Sequence, residues 1–310
     1  MNSVIVADSL SRNFGSLTAV AGISLSVEPG ELFGLVGSDG AGKTTTIRML
    51  TGVMDPSSGE GRVLGYPCSD LEPVRGEIGY MSQRFGLYPD LTVAENISFY
   101  ADIFNVPRQE EISRTKQLLA FSNLEPFRNR KAGNLSGGMK QKLGLACALI
   151  HTPRVLFLDE PTNGVDPVSR RDFWRILYEL LKEGVTIFVA TAYLDEADRC
   201  HRVGLIHKGR LLACDTPLAL RRLTAGSILE AVTPSARQAA RLLRAQRPDL
   251  PALLFGDRLH LSTEYPDQHA SELRSLFAEA GIKLESLALV EPSLEDVFVA
   301  MIEKADHDNA

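Results

Sequence analysis

Short apolar runs alternate with amphipathic segments along the first two thirds of the chain. The amphipathic segment with the clearest bounds starts at Asp166 and Pro167, a favourable N-cap and first turn, and stops at Gly184. Its apolar residues recur at helical spacing: Phe173, Trp174, Ile176, Leu177, Leu180 and Leu181. The apolar runs have strand length and lie at residues 4–6, 23–27, 32–36, 78–81, 155–158, 185–190 and 203–207. This rhythm predicts an α/β sheet covered by helices.

Two interruptions of this alternation of strands and helices predict an inserted subdomain and a second domain. Polar-rich helical patterns without strands indicate a helical subdomain inserted at about residues 84–150. A turn-rich joint begins at residue 224, and apolar runs separated by helical patterns follow at residues 228–232, 253–255, 259–261 and 282–290. We therefore expect one large domain at residues 1–223 and a small accessory α+β domain at residues 224–310.

The composition is that of a globular protein large enough for two hydrophobic cores, with 44% hydrophobic and 23% charged residues among 310. A net charge of −6 without a long Lys/Arg block disfavours a nucleic-acid partner. There is no apolar run of about 18 residues and no secretory leader, so we expect the chain to stay in the cytosol. The cysteines lack disulfide or zinc spacing and are expected to be free thiols: Cys68, Cys147, Cys200 and Cys214.

The strongest chemical signal is GSDGAGKT at residues 37–44, directly after an apolar run and at the start of a helical pattern. Its glycines allow backbone N–H groups to turn towards phosphate oxygens, and the dipole of the following helix attracts the same anion. Lys43 would reach the β- and γ-phosphates, and the Thr44 hydroxyl would bind Mg²⁺. The segment therefore predicts a nucleotide site.

Two adjacent carboxylates end the apolar run of VLFLDEP at residues 155–161. A buried strand has no structural use for two acids, because their desolvation is costly unless a cation lies beside them. A Mg²⁺ at the phosphate loop would be that cation, so Asp159 suits the metal shell and Glu160 suits a general base for the attacking water. The alternative is a strand that simply emerges into solvent.

A helix start with two glycines occurs in LSGGMKQK at residues 135–142. Ser136 is a good N-cap, which accounts for the local structure. Gly137 and Gly138 cost helix stability, however, and leave room for a bulky ligand to approach. An anion from elsewhere is the simplest explanation for them.

These motifs together resemble the ATP-binding cassette (ABC) family over nearly all of residues 1–223. The resemblance identifies Gln83 in YMSQRFGLYPDLTVAEN as the Q-loop, Asp166 in NGVDP as the D-loop, and Phe14 in RNFGSLTAV as the aromatic residue that stacks on adenine. Each has an alternative interpretation: Phe14 as a core residue, Asp166 as an N-cap, and Gln83 as an ordinary residue after a strand.

The resemblance implies an α/β fold, an ABC-type P-loop NTPase cassette with a RecA-like core, a small antiparallel β subdomain and the inserted helical subdomain. ATP and Mg²⁺ are the implied cofactors. The nucleotide would be bound by Phe14, Gly37, Ser38, Asp39, Gly40, Ala41, Gly42, Lys43, Thr44 and Thr45. The metal would be held by Thr44, Gln83 and Asp159. Glu160 and Gln83 would serve catalysis. Asp39 belongs to a Ser-Asp pair that replaces the family's common Pro-Asn, and we expect it to point outward.

Family resemblance also implies that two cassettes dimerise head to tail. Ser136, Gly137 and Gly138 of one cassette would then cap the γ-phosphate bound to the phosphate loop of the other. The second cassette would be either a copy of this chain or an unequal partner.

Ala192 lies where the family carries a switch histidine, in TAYLDEA at residues 191–197. Loss of one positioned transition-state donor typically costs about 3 to 4 kcal/mol, or 10²- to 10³-fold in rate. We therefore expect a slow site, and we do not expect His201 to substitute. Asp195 and Glu196 are expected to complement the dipole of the helix that they begin.

The segments SRRDFWRIL, YLDEADRC and EPSLEDVFVAMI resemble multidrug and antibiotic export ATPases, most of all the first cassette of tandem exporters of the YbhF type. The implied protein is an ATP-binding exporter subunit on the cytoplasmic face of the membrane, coupled to separate transmembrane permease subunits. Phe85, Leu87 and Tyr88 would line a groove for a membrane-protein helix or belong to the core. Two alternatives stay open: a soluble ABC ATPase that acts on ribosomes or nucleic acid, and an ATP switch that does not hydrolyse.

Overall fold

A computed structural model describes residues 3–83, 86–223 and 226–307 and divides the chain into two compact units, Met1–Cys214 and Asp215–Ala310. The division lies ahead of the boundary expected at residue 224. The reason is that the short helix after residue 216 packs against the last helix of the chain, so it belongs to the second unit.

The first unit contains two sheets and several helices. Its strands are β1 (Ile5–Phe14), β2 (Leu17–Val27), β3 (Leu32–Val36), β4 (Ser58–Val63), β5 (Tyr66–Pro67), β6 (Ile78–Met81), β7 (Val155–Asp159), β8 (Thr186–Thr191), β9 (Arg202–His207) and β10 (Arg210–Asp215). Its α-helices are α1 (Lys43–Leu50), α2 (Val93–Ile103), α3 (Arg108–Phe121), α4 (Gly137–Leu149), α5 (Pro167–Lys182) and α6 (Leu194–Ala197). Short 3₁₀ helices lie at Glu72–Glu77, Glu125–Phe127 and Ala132–Asn134.

The central sheet has the strand order β10-β9-β3-β8-β7-β6, and its pairs from β9 to β6 are parallel. Every residue of β3, β7 and β8 is buried, as expected for parallel strands that helices cover on both faces. This confirms the predicted α/β core. Because the strands are parallel, the carboxyl ends of β3, β6, β7 and β8 meet at one edge of the sheet.

A second sheet, β2-β1-β4-β5, is antiparallel and contains strands that the sequence pattern did not predict. The sequence of β4, SGEGRV, is polar and glycine-rich and has little strand propensity of its own. It forms a strand because β1 supplies its backbone partners, with Ile5 opposite Val63 and Ala7 opposite Gly61. Tertiary pairing therefore overrides local preference here.

The helices α2, α3 and α4 surround a core of their own, within the segment predicted as a helical subdomain. Val93, Ile97, Leu119, Leu143 and Cys147 are among its buried residues. A capping box of Thr92 and Glu95 begins α2. The predicted groove residues behave differently: Leu87 packs on this core, Tyr88 is exposed, and Phe85 lies outside the described residues.

The second unit is an α+β arrangement of an antiparallel sheet and helices. In chain order its elements are α7 (Pro217–Arg221), β11 (Ser227–Val232), α8 (Ala236–Gln246), β12 (Ala252–Phe255), β13 (Arg258–Thr263), α9 (Pro266–Glu279), β14 (Ser286–Val290) and α10 (Leu294–His307). The strand order is β12-β13-β11-β14. Apolar residues of β11 and β13 form a core with α8 and α9, including Leu229, Leu261, Leu243 and Phe277.

Cys68, Cys147 and Cys200 are buried and Cys214 is half-buried, and none of the four forms a disulfide among the described residues. Burial raises the pKa of Cys68 to about 12. Within the ranges that the structure describes, none of the helices combines the length and apolar character needed to cross a membrane.

Phe188 on β8 is the aromatic centre of the sheet, with ring centroids 5.2 Å from Phe33 on β3 and 5.6 Å from Phe157 on β7. We predict that Phe188→Ala destabilises the first unit by about 3 to 5 kcal/mol, because it leaves a cavity between three strands. Leu17→Ala, at a side chain that is 65% exposed, is the control and should cost less than about 0.5 kcal/mol. Urea unfolding followed by fluorescence of the single tryptophan, Trp174, measures both; equal losses would contradict the prediction.

Candidate nucleotide-binding site

The phosphate loop joins β3 to α1 and leaves the start of that helix open. Gly42 has φ 108°, and a Cβ there would lie 2.6 Å from the carbonyl oxygen of Ala19, so only glycine fits. No described side chain caps α1, so its first backbone N–H groups can bind phosphate oxygens. The loop residues differ in exposure: Ser38, Asp39 and Gly40 are exposed, Gly37 and Ala41 are buried, and Thr44 and Thr45 are half-buried. Asp39 therefore points outward, as expected.

The Lys43 side chain is held under the loop and is only 3% exposed. Its ammonium donates hydrogen bonds to the carbonyl oxygens of Gly37 at 2.8 Å and Ser38 at 3.0 Å. It also lies 3.3 Å from a carboxylate oxygen of Glu160. A phosphate group in the loop would thus meet a cation that is already desolvated and oriented, where electrostatic attraction is stronger than in water.

Thr44 and Asp159 form the part of the site that suits a metal ion. The Thr44 hydroxyl donates to Oδ1 of Asp159 at 3.0 Å. Oδ2 of Asp159 is buried and has no hydrogen-bond partner among the described residues. Burial raises the pKa of Asp159, against the Thr44 hydrogen bond, which lowers it. A buried carboxylate with an open lone pair beside a hydroxyl is a donor set that fits Mg²⁺, which prefers oxygen ligands.

Glu160 follows β7 in a strained backbone conformation. Its φ is 48°, a left-handed value that typically costs a non-glycine residue about 1 to 3 kcal/mol. Its backbone N–H donates to the carbonyl oxygen of Ala190 on β8 at 2.8 Å. Its carboxylate accepts hydrogen bonds from Gln83 at 2.8 Å and Asn163 at 3.1 Å. The neighbouring strands and side chains therefore hold this carboxylate at the edge of the sheet.

The structure thus brings five of the predicted residues together: Lys43, Thr44, Gln83, Asp159 and Glu160. Gln83 reaches the site because β6 pairs with β7. Sequence reasoning missed Asn163, since nothing local distinguishes it from other polar residues in the turn after β7.

Phe14 ends β1 and is 43% exposed, with the Arg12 guanidinium 4.9 Å from its ring centroid. The alternative of a plain core residue is therefore wrong. An exposed aromatic face of this kind is available to a ligand ring.

The two glycines at the start of α4 have different surroundings. Ser136 caps the helix and accepts from the backbone N–H of Met139 at 3.3 Å. A Cβ on Gly138 would lie 2.6 Å from Cβ of Ser169 on α5, so packing within the chain explains this glycine. Among the described residues, a Cβ on Gly137 would meet only the carbonyl oxygen of Gly164, at an ordinary 3.6 Å. Packing within the chain therefore does not require glycine at position 137.

Asp166 caps α5 and accepts hydrogen bonds from the backbone N–H groups of Val168 at 3.1 Å and Ser169 at 3.0 Å. These bonds lower the pKa of its carboxyl group. The N-cap interpretation thus describes its contacts within the chain, while its exposed position leaves it accessible to a partner.

Ala192 is exposed directly after β8. The carbonyl oxygen of the preceding Thr191 accepts from the backbone N–H of Gly37 at 3.4 Å, so a side chain at position 192 emerges beside the phosphate loop. His201 lies at the other edge of the sheet, where its Nδ1 accepts from the backbone N–H of Leu32 at 3.0 Å. His201 therefore does not lie beside the phosphate loop.

Glu196 lies with Asp195 in the first turn of α6, where an acid complements the helix dipole as expected, and it makes further contacts that the sequence did not reveal. It is 1% exposed, and α6 is a single short turn. Its carboxylate accepts hydrogen bonds from Thr162, Thr191 and Arg170. These partners come from distant segments, which is why the sequence did not reveal them.

Comparison with known proteins places this site in a family. Residues 20–163 match the model of the ABC transporter family. The chain is 47% identical over 73% of its length to the probable multidrug ABC transporter ATP-binding protein YbhF of Escherichia coli K12, of which it covers 39%. It is 36% identical to the Nod factor export ATP-binding protein I of Burkholderia thailandensis, over 94% of both chains.

Among solved structures, the dimeric ATP-binding cassette MJ0796 in a post-hydrolysis state with ADP and phosphate superposes with a TM-score of 0.63. The two are 25% identical, and the match covers 68% of this chain and 98% of that cassette. The phosphate loop, the buried acid pair and these similarities lead to one conclusion: the chain belongs to the ATP-binding cassettes of the ABC transporter family.

Proposed function

We propose that this chain is the ATP-binding subunit of an exporter. It would bind Mg-ATP, pair head to tail with a second cassette, and couple hydrolysis to a separate permease from the cytoplasmic face of the membrane. The observation that carries the proposal is the meeting of Lys43, Thr44, Asp159 and Glu160 at one edge of the sheet. The names of the relatives, a multidrug transporter subunit and a Nod factor exporter subunit, support an export role.

In the proposed reaction, residues of this chain bind the nucleotide and Mg²⁺ and orient and activate the attacking water. The loop N–H groups and Lys43 would hold the phosphates, while Thr44, Asp159 and Gln83 would hold Mg²⁺, which neutralises charge on the β- and γ-phosphates. Glu160 would orient the attacking water and accept its proton. Phe14 would stack on the adenine ring.

The signature segment at Ser136, Gly137 and Gly138 supports the dimer. Gly137 is exposed and is not required by packing within the chain, so a ligand from outside is the remaining reason for a residue without a side chain. The γ-phosphate bound to the other cassette is that ligand in our proposal. Asp166, exposed at the start of α5, would contact the same partner.

Ala192 makes this site slow. A methyl group beside the phosphate loop offers no hydrogen bond to a transferred phosphate, whereas Glu160 is retained and positioned. The chain would then hold ATP for long periods and lend its signature segment to the faster site of an unequal partner.

A groove of about 520 Å³ offers a place for the permease. It lies between the loop after α1, the 3₁₀ helix Glu72–Glu77 and helix α2, and its apolar residues include Val53, Tyr100 and Phe104. Polar and apolar residues line the groove together, and its size fits a short helix of a membrane protein laid across it. This groove is a second candidate beside the one expected at Phe85, Leu87 and Tyr88. Leu87 is only partly buried against the helical core and lines a smaller cavity with Gln83 and Pro89.

A soluble ATPase that acts on ribosomes or nucleic acid is the rival function, and the net charge of −6 disfavours it. Co-fractionation with membranes rather than ribosomes would separate the two. An ATP switch without hydrolysis is disfavoured by the positioned Glu160.

The effect of Ala192 is testable by steady-state ATPase measurements. We predict that the parent chain turns over slowly and that Ala192→His raises kcat by about 10²- to 10³-fold, because a transition-state donor is restored. Glu160→Gln in the same background is the control and should abolish the gain. Brisk turnover by the parent that Glu160→Gln removes would instead show that Ala192 is tolerated.

Substitutions of the two adjacent glycines test dimerisation and folding separately. We predict that Gly137→Ala leaves the melting temperature unchanged or higher, yet blocks ATP-dependent dimerisation in a Glu160→Gln background. Gly138→Ala should lower unfolding stability by about 1 to 3 kcal/mol through overpacking against Ser169. Thermal unfolding and size-exclusion chromatography with Mg-ATP measure these effects; a Gly137→Ala variant that still dimerises would contradict the proposed contact.

The permease groove predicts a third result. Val53 is 62% exposed in the groove, and Val53→Glu should release the chain from inside-out membrane vesicles of its source cells because a charge would be buried on docking. Ile112→Glu on α3, at an equally apolar residue that is 61% exposed outside the groove, is the matched control. Sedimentation with the vesicles measures both, and identical behaviour of the two variants would rule out this groove.

A further inference from the structure

Glu196 is a buried carboxylate that the proposed reaction does not use. Oε1 accepts from the Thr162 hydroxyl at 2.6 Å and from Nη2 and Nε of Arg170 at 3.0 and 3.2 Å. Oε2 accepts from the Thr191 hydroxyl at 2.8 Å. At 1% exposure such a charge is tolerated only when it is fully paired, and this one is.

The donors to Glu196 lie beside residues of the nucleotide site. Thr162 is two residues after the strained Glu160. Thr191 lies between Ala190 and Ala192. The carbonyl oxygen of Ala190 accepts a hydrogen bond from the backbone N–H of Glu160 at 2.8 Å. One carboxylate therefore connects the segment that carries the general base to the strand end that holds its backbone.

Arg170 extends the same connection to α5. Its guanidinium lies on the Tyr193 ring, 4.3 Å from the centroid, and also pairs with the exposed Asp195 at 3.1 Å. Since Asp166 begins α5, the residue proposed to face the second cassette is joined to Glu196 through one turn of helix.

Backbone in a left-handed conformation persists at a non-glycine residue only when its surroundings determine it. We propose that Glu196 is the positioning residue that keeps the backbone of Glu160 in this conformation. Through Thr162 it holds the segment after the general base, and through Thr191 it holds the end of β8. Through Arg170 it joins both segments to α5. The inference rests on the proposed hydrolysis. It adds a role for a residue that contacts neither nucleotide nor metal.

The chemistry requires a carboxylate rather than another polar group. Every partner of Glu196 donates, and a carboxylate offers acceptor sites on both oxygens. A glutamine would present an N–H₂ group towards one of the donors and would leave Arg170 without its buried counter-ion. Removing one hydroxyl donor perturbs the network less than replacing Glu196 itself, because the other partners stay in place.

The test therefore centres on Thr162. Thr162→Val is nearly isosteric and removes the hydroxyl, whereas Thr162→Ser retains it. Asp195→Asn is the matched control, since it removes an exposed charge that pairs with the same arginine. Glu196→Gln provides a second variant of the centre itself. Melting temperature verifies that each variant is folded.

Single-turnover hydrolysis, with the chain in excess over labelled Mg-ATP, measures the rate even for a slow site. Thr162→Val and Glu196→Gln should lower it by about tenfold or more, while binding of a fluorescent ATP analogue changes by less than about threefold. Thr162→Ser and Asp195→Asn should stay near the parent. A loss of affinity that matches the loss of rate, or equal rates for the Val and Ser variants, would overturn the proposal.

Amide hydrogen exchange at residues 159–164 and 190–194 distinguishes this inference from the proposed function. Exchange there should be faster in Thr162→Val than in Thr162→Ser. If the ATPase rate of the parent does not exceed that of Glu160→Gln, hydrolysis is lost from the proposed function and hydrogen exchange alone tests the role of Glu196. Unchanged exchange in Thr162→Val overturns that role. Faster exchange confined to these segments supports it.

Discussion

Parallel pairing of the buried strands β3, β8 and β7 is the constraint on which the candidate site depends. The phosphate loop follows β3, Ala192 follows β8, and Asp159 ends β7, so pairing brings these segments to one edge. Thr44 and Asp159 are separated by 115 positions in sequence, yet their side chains are hydrogen-bonded at 3.0 Å. Lys43, Asp159 and Glu160 are themselves buried at this edge, which strengthens the charge interactions among them.

The charged groups at this edge are buried, and they suit the proposed chemistry. Lys43 and Glu160 are desolvated and paired, while Asp159 keeps one buried oxygen without a described partner. Glu160 is additionally strained. Buried acids and strained backbone at one site are typical of functional centres, where the surrounding structure holds them in place. Here Glu196 and helix α5 belong to that surrounding structure.

Much of the fold could be predicted because its signals are local. The apolar runs of β3, β7 and β8 predict buried strands, and the spacing after Asp166 predicts α5. Strand β4 could not be predicted in this way, because its polar sequence becomes a strand only when β1 supplies the hydrogen bonds. Strand order and the division between the two units likewise depend on contacts between distant segments.

The sequence by itself determined the chemistry of the site, since the phosphate loop, the acid pair and the signature segment are each contained in a few consecutive residues. Only the tertiary structure decided how these groups are placed and what they contact. It showed that Gly138 is required by packing and Gly137 is not, that Asn163 and Gln83 hold Glu160, and that Glu196 is buried. The physical reason is that turn geometry and periodicity act between neighbours in the chain, whereas desolvation and pairing depend on what folding brings together.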